Sequence, residues 1–278
     1  MRADPTPSAE EIEHYYREEF YGTKRFNDSS LEVQRDGKDF YDGRWEVIYQ
    51  QCVNFFEKKN FSLFDIGFGY AQALLYFKEK GVVVSGLEPA TQGVTYAKDQ
   101  GLDIYQAGIE DFSCVGDKRF DVVMLLNVLE HLRYPQDILN SIKTNLLNSG
   151  GLLVIEVPNE FNDFQKISVA EYGLDEWWVV PPHHLNYFST SSLKNLLEMC
   201  GFEVVHAQAT FPIEMFLLMG DLYVGNQELG RECHLKRVKF EQNMKKHGGA
   251  QKLAQLYEAL ANLDLGRQSL IFATPKNL

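Results

Sequence analysis

Short apolar runs alternate with amphipathic segments along the middle of the chain. From Phe61 onward the runs are SLFDIGFG, VVVSGLEPA, DIYQAG, FDVVMLLN and GGLLVIEVP, separated by segments such as LLYFKEKG and TYAKDQG. Parallel strands buried on both faces read as continuous Val, Ile and Leu runs, and their alternation with helices is typical of βαβ units. The pattern therefore predicts an α/β fold with five strands before Pro158, doubly wound around a parallel sheet.

The second half of the chain predicts fewer strands and one long connection. Residues 159–188 contain Trp-Trp and Pro-Pro pairs and no periodic segment. Structureless connections of this length are uncommon and are often lids or binding loops. A helix over 190–200, a strand over 202–209 and a last strand, SLIFATP, are expected to follow.

Helical spacing of apolar residues marks both flanks of this core. Residues 8–22 and 38–58 predict two leading helices, and 211–265 reads as helical throughout. The segment 211–265 is too long for a hairpin, so we expect a helical cap over a substrate, with dimerisation as its alternative role. The predicted organisation is a helical extension, an α/β core, the cap insertion and the last core strand, over 1–58, 59–210, 211–265 and 266–278.

Composition and charge narrow the class of partner. Of 278 residues, 45% are hydrophobic and 24% charged, which is ordinary for a globular protein, and the net charge is −12. A negative balance repels phosphate backbones and anionic lipid surfaces, so neither nucleic acid nor membrane is expected as a partner. The chain starts with a polar, acidic segment and has four widely spaced cysteines. We therefore expect reduced thiols and a cytoplasmic protein.

A glycine-containing turn follows the first predicted strand. Asp65, Gly67, Phe68 and Gly69 stand just before a helix, and Glu88 ends the second strand 21 positions after Gly67. Two glycines let the backbone turn tightly and approach a nucleotide, and an acidic residue about 20 positions on holds ribose hydroxyls in doubly wound folds. The turn predicts a nucleoside ligand, with a packing turn as the alternative.

Two side chains near this turn bear on the kind of nucleoside. A dinucleotide site favours a third glycine where this chain has Gln72, and the Asp65 carboxylate would repel a pyrophosphate. A ligand with an ammonium group, a sulfonium centre and a ribose but no phosphate meets neither objection. The residues therefore favour S-adenosylmethionine over NAD.

Several motifs in order resemble those of class I S-adenosylmethionine-dependent methyltransferases of the bacterial small-molecule group. These motifs cover roughly residues 60–210 and are FDIGFGYA, VSGLEPA, QAGIEDF, FDVVMLLNVLEHL, GGLLVIEVPN and PPHHLNYFSTSSLKNLLEMCGFEVV. The resemblance implies a Rossmann-like sheet of seven strands, mostly parallel with the last antiparallel. The tail, TFPIEMFLLMGDLYVGN through LGRQSLIFATPK, resembles a subset found with polysaccharide and modified-sugar gene clusters.

The same resemblance implies a set of cofactor-binding residues. Asp65, Gly67 and Gly69 would surround the methionine part, and Asn127 would lie near its amino group. Glu88 would bind the ribose. Phe68 and Pro89 complete these two turns, and Ile109 and Glu110 would lie by the adenine.

Three residues are candidates for catalysis. His131 follows the fourth strand at the carboxyl edge of the sheet, where open α/β proteins bind ligands. His184 and Tyr187 close the long connection, where a group that titrates near neutral pH stands beside aromatic residues. Some relatives hold a metal with a Glu-His pair and an earlier acid, but Asn127 occupies the earlier position here, so no metal is expected.

The predicted function is methyl transfer from S-adenosylmethionine to a small molecule. The tail resemblance favours a sugar, a nucleotide-sugar or a related metabolite as the acceptor. An NAD-dependent Rossmann oxidoreductase and a cofactor-binding partner subunit without catalysis are the alternatives.

Overall fold

A computed structural model describes residues 1, 2, 7, 10, 11 and 38–276 of the protein. Except at residues 10 and 11, the leading helix expected over 8–22 lies outside the described residues. The second leading helix is present as α1, Lys38–Phe56.

Seven strands alternate with helices as the hydrophobic pattern predicts. The strands are Ser62–Ile66 (β1), Val83–Leu87 (β2), Asp103–Tyr105 (β3), Phe120–Leu126 (β4), Leu147–Pro158 (β5), Phe202–Ala209 (β6) and Gln268–Pro275 (β7). The helices after α1 are Gln72–Glu79 (α2), Thr91–Asp99 (α3), Pro135–Ser141 (α4), Asp163–Tyr172 (α5), Thr190–Met199 (α6), Glu214–Leu218 (α7), Gln227–Lys246 (α8) and Ala250–Asn262 (α9).

The strands form one sheet in the order β3-β2-β1-β4-β5-β7-β6. Strands β1 to β5 pair in parallel, and β7 lies antiparallel between β5 and β6. The expected Rossmann-like sheet, with only the last strand reversed, is confirmed. The chain order reverses between β1 and β4, and ligands of such sheets bind at the carboxyl ends of the strands beside that point.

Alternate residues of the central strands pack into two separate cores. Leu63 and Met124 pack with α1 and α2 on one face, whereas Phe64 and Val123 pack with α4 and α6 on the other. All four of these side chains are fully buried. Because both faces are covered, the strands read as unbroken apolar runs.

The connection over 159–188 is not structureless, which corrects the sequence-based expectation. It contains α5, which begins with a capping box in which Asn162 and Gln165 bond each other's backbone N–H groups. The pattern missed this helix because its buried residues are Gln165 and Ser168, while Ile167 is 52% exposed. The helix expected over 190–200 is present as α6, capped by Ser189.

The insertion over 211–265 is helical, as its spacing predicts. It consists mainly of α7, α8 and α9, and α9 packs against β6 and α8. Among the helices of the described residues, none has the length and apolar character needed to cross a lipid bilayer.

Candidate functional site

The turn between β1 and α2 has the backbone that its glycines allow. Gly67 and Gly69 have φ angles of +74° and +58°. A Cβ atom at Gly67 would lie 2.8 Å from Cγ2 of Val128, so a larger residue would not fit there, whereas a Cβ at Gly69 would meet no atom within 4 Å. The loop therefore packs tightly at Gly67 and leaves open space beside Gly69.

Glu88 links the end of β2 to this glycine turn. Its carboxylate accepts hydrogen bonds from the N–H of Gly69 and from the N–H of Ala90, both at 2.9 Å. The side chain is only 3% exposed. The two strand-end segments that the sequence singles out thus meet through one buried carboxylate.

A cavity of about 230 Å³, here called the glycine-loop cavity, opens above the turn. Five of the residues expected to bind the cofactor line it: Asp65, Gly67, Phe68, Gly69 and Asn127. The rest of its lining is Tyr41, Arg44, Trp45, Tyr70, Gln72, Ala73 and Leu126.

The other expected cofactor residues lie around this cavity or apart from it. Ile109 lies beside the turn, with its Cδ1 3.7 Å from a Cβ built at Gly67. Pro89 follows Glu88, and its carbonyl accepts a bond from the side-chain amide of Gln106 at 3.4 Å. Glu110 is exposed and lines a different cavity. The structure therefore brings Ile109, but not Glu110, to the glycine turn.

Asp65 is the buried carboxyl group of the glycine-loop cavity. It is 3% exposed, and burial raises its pKa well above the ordinary aspartate value, with the nearby Glu88 charge raising it further. Burial therefore shifts the equilibrium of this group toward the protonated acid. A cation placed in the cavity would oppose this shift and favour the carboxylate.

Asn127 joins the ends of three strands. It has a φ of +57°, a conformation that Asn tolerates better than most residues. Its backbone N–H donates to the Glu156 carbonyl at 2.7 Å and its side-chain amide to Glu156 Oε1 at 3.3 Å. Gln268 Nε2 donates in turn to Asn127 Oδ1 at 2.9 Å. The polar floor of the cavity is thus held by β5 and β7 as well as β4.

A buried ion pair connects α1 to this floor. Arg44 donates to both carboxylate oxygens of Glu156, through Nε at 3.2 Å and through Nη2 to Oε1. The Glu156 side chain is fully buried, while that of Arg44 is 23% exposed. No local sequence pattern predicts this pair, because its partners are 112 positions apart.

A second cavity of about 300 Å³ adjoins the first, and we call it the α1–α9 chamber. It shares Tyr41 and Arg44 with the glycine-loop cavity. Its apolar and aromatic walls come mainly from α1 and α9, namely Phe40, Val47, Ala250, Leu253, Ala254, Tyr257 and Leu270. Its polar groups come from strand ends and α8, namely Glu156, Gln208, Thr210, Gln268, His234, Arg237, Glu241 and Lys245.

The polar side chains of α8 form an ordered network inside the chamber. Arg237 Nε and the hydroxyl of Tyr257 both donate to Glu241 Oε1, at 3.1 and 2.8 Å. Burial lowers the pKa of His234, and the charge of Arg237 lowers it further. His234 also packs edge-on against Phe40, with ring centroids 5.4 Å apart. Sequence reasoning missed this histidine, which looks like one polar residue among many on a charged helix.

The three residues expected to be catalytic gather elsewhere. His131 and His184 lie with their ring centroids 5.1 Å apart, and His184 Nδ1 lies 3.0 Å from Glu160 Oε1. The hydroxyl of Tyr187 accepts a bond from the N–H of Val180 at 3.1 Å, and burial raises its pKa. In the described part of the chain, none of the three lines the glycine-loop cavity or the α1–α9 chamber. Their catalytic role stays a prediction.

Removing either partner of the Arg44–Glu156 pair should destabilise the protein unequally. Arg44→Met leaves a fully buried carboxylate, and we expect the free energy of unfolding to fall by about 3–5 kcal/mol. Glu156→Gln should cost less, because the Arg44 side chain keeps contact with solvent. Urea unfolding of both variants and of the double variant Arg44→Met/Glu156→Leu measures this. A double variant no more stable than Arg44→Met alone would contradict the account.

Comparison with known proteins agrees with this geometry. The profile of a family described as "Methyltransferase domain" matches residues 28–207. A ubiquinone biosynthesis O-methyltransferase from Histophilus somni (strain 2336) is 28% identical over 142 residues, which cover 47% of this chain and 58% of that protein. One from Glaesserella parasuis serovar 5 (strain SH0165) is 29% identical over 172 residues, covering 58% of this chain and 70% of that protein. The chain thus matches less than two thirds of the length of the Histophilus protein.

Solved structures share the fold at low sequence identity. The plantazolicin methyltransferase BamL, in complex with a desmethylPZN analog and SAH, has a TM-score of 0.57 at 14% identity, covering 96% of this chain and 94% of that one. The [4+2]-cyclase SpnF has a TM-score of 0.52 at 17% identity, covering 85% and 81%. Because a cyclase shares the fold, these likenesses show the architecture alone.

The family match spans more than half of the chain, includes the glycine turn and the strand-end residues described above, and sets aside the oxidoreductase alternative. The chain therefore belongs to the methyltransferase domain family.

Proposed function

We propose that the chain methylates a small molecule held in the α1–α9 chamber, with S-adenosylmethionine held in the glycine-loop cavity. The observation that carries this proposal is that the two cavities share Tyr41 and Arg44. Methyl transfer is an in-line displacement that needs the reacting atoms about 3–3.5 Å apart, so donor and acceptor sites must adjoin. S-adenosylmethionine, when bound, supplies a methyl group already activated by its sulfonium centre.

The residues around the glycine turn fit this cofactor. The Asp65 carboxyl group lines the cavity and the Glu88 carboxylate lies beside it, bonded to the N–H of Gly69, and two acidic groups here suit a ligand with an ammonium, a sulfonium and ribose hydroxyls. The open space beside Gly69 allows close approach of the ligand. Asn127 offers an amide near the methionine part, as the family resemblance implies. These side chains would bind and orient the cofactor.

Glu88→Ala should weaken S-adenosylmethionine binding by about 10-fold or more, since a hydrogen bond to a charged group contributes about 1.5–3 kcal/mol. The same change removes the acceptor that orients the N–H of Gly69. Calorimetry measures the affinity, and Glu79→Ala, an exposed carboxylate on α2, is the matched control. Equal affinity in the two variants would remove Glu88 from the cofactor site.

Cofactor binding should release a proton from Asp65. At pH values below its raised pKa, Asp65 is protonated in the free protein, and a bound cation favours the carboxylate, so affinity rises with pH up to that raised pKa. Calorimetry in two buffers of different ionisation enthalpy counts the protons released. The release should vanish in Asp65→Asn, and a release that persists in this variant would contradict the assignment.

For a hydroxyl acceptor, His234 is the base that the chamber offers. Burial and Arg237 hold its pKa below the ordinary histidine value of 6.5, so the imidazole is neutral at pH 7 and can accept a proton. It would take the hydroxyl proton as the oxygen attacks the methyl carbon. Positioning in the chamber supplies the larger share of the rate, because it is worth about 7–11 kcal/mol against 3–5 kcal/mol for a base.

His234→Gln should lower kcat by about 10²–10⁴-fold with little change in cofactor affinity. In the wild type with saturating cofactor, kcat/KM for the acceptor should fall only as the pH drops below 6.5, through the lowered pKa of His234. The parallel variant His184→Gln tests the candidate predicted from the sequence. Loss of turnover in His184→Gln, with His234→Gln unaffected, would move the base to the other site.

Two acceptor classes fit the chamber. A sugar or nucleotide-sugar is supported by the tail resemblance, by amides at Gln208 and Gln268 and by cations at Arg237 and Lys245. A phenol is supported by the apolar walls and by relatives named for ubiquinone biosynthesis O-methylation. Assays with nucleoside diphosphate sugars and with catechols, each with S-adenosylmethionine, distinguish the two classes.

We also propose that 211–265 acts as the cap expected from the sequence, completing the core over 59–210 and 266–278. Its helices α8 and α9 supply much of the chamber wall, which supports a substrate-side role over one in dimerisation alone.

A further inference from the structure

Three histidines meet at a point that lies outside the linings of the glycine-loop cavity and the α1–α9 chamber. His131 lies in the short turn after β4, and His183 and His184 lie in the segment before α6. One ring nitrogen of each lies within 4.8 Å of one ring nitrogen of each of the others. The two segments are held together by the backbone N–H groups of Leu185 and Asn186, which both donate to the Glu130 carbonyl.

Two of the rings are oriented through their Nδ1 atoms. His184 Nδ1 lies 3.0 Å from Glu160 Oε1, and His131 Nδ1 lies 2.6 Å from the carbonyl oxygen of His183. When Nδ1 donates in this way, the lone pair is on Nε2. Metal-binding histidines almost always donate their other ring nitrogen to a carboxylate or a backbone carbonyl, which fixes the tautomer and orients the ring.

Buried carboxylates stand beside the rings. Glu130 and Glu160 are 1% and 3% exposed. Glu130 Oε1 lies 3.5 Å from His131 Nε2. Among the described residues, Glu160 Oε2 is buried and has no hydrogen-bond partner. Buried carboxylates next to imidazole nitrogens make a favourable environment for a divalent cation.

We propose that His131, His183 and His184 bind one divalent transition-metal ion, with Zn²⁺ as the reference case. Imidazole nitrogens suit Zn²⁺ and its neighbours, and three histidines leave a fourth position for water, a carboxylate oxygen or another ligand. Nitrogens bound to tetrahedral Zn²⁺ at about 2.0–2.1 Å lie roughly 3.4 Å apart, so binding would draw the rings together by rotation. The ion would tie the turn after β4 to the segment before α6.

The proposal revises the expectation that no metal binds, and it does not rest on the proposed function. That expectation considered only a Glu-His pair with an acid at position 127. The ligand set seen here comes from two segments 52 positions apart, which no spacing rule connects.

Metal content and cobalt spectroscopy test the proposal on the full chain without a histidine tag. After chelation, Co²⁺ titration should give visible d–d absorption that saturates at one equivalent, without the charge-transfer band of a thiolate ligand, and Zn²⁺ should displace it. His131→Gln and His184→Gln should each weaken binding at least 100-fold. Glu160→Gln should weaken it by about 10–100-fold, the usual effect of removing a residue that orients a metal-binding histidine.

His206→Gln is the matched control. His206 is a half-buried histidine on β6, and its Nε2 lies 4.0 Å from the carboxylate of Glu258. It should bind Co²⁺ as the wild type does, and circular dichroism should show that all variants are folded. Absence of saturable binding in the folded wild type would overturn the proposal. Equal binding by the wild type, His131→Gln and His184→Gln would also overturn it.

Discussion

The Arg44–Glu156 ion pair determines the relation between the two cavities. Arg44 comes from α1 and lines both cavities, while Glu156 on β5 also holds Asn127 at the end of β4. Taking two charges out of water is expensive, and the arrangement is tolerated because both carboxylate oxygens are bonded. The same contacts place α1 over the strand ends, so the ion pair that stabilises the fold also forms part of the wall shared by the two cavities.

The two cavities differ in the charged side chains that surround them, and this difference would let them bind different ligands. At the glycine turn, Asp65 and Glu88 disfavour phosphates and favour a cationic cofactor. In the α1–α9 chamber, acidic and basic side chains alternate with aromatic walls, and the Glu241 network holds Arg237 and Tyr257 in fixed positions. In the proposed function, the fold supplies the cofactor site, whereas α1, α8 and α9 supply the walls that would select the acceptor, in keeping with the chemical diversity of proteins that share this architecture.

Local sequence patterns were sufficient to predict the strands and turns whose conformation depends on neighbouring residues. Buried parallel strands require apolar runs, so β1 to β5 were predictable, and the turn at Gly67 needs a residue without a side chain, so the glycine site was too. The helix α5 was missed because Gln165 and Ser168 face inward.

Residues that depend on distant contacts were equally out of reach. The sheet brings together segments that are distant in the sequence. Only these contacts show that Arg44 and His234 line cavities and that His131 lies beside His183. His131 and the histidine pair before α6 were both singled out from the sequence, but their contact with each other and the contact of His184 with Glu160 were not, since nothing in a local pattern relates these residues.

The central claim is that donor and acceptor meet where Tyr41 and Arg44 separate the two cavities. A crystal structure with S-adenosylhomocysteine and an acceptor from the active class tests it most directly. The account predicts the acceptor between α1 and α9, with its nucleophile directed past Arg44 toward the cofactor sulfur. An acceptor bound instead among His131, His184 and Tyr187, with the α1–α9 chamber empty, would contradict it.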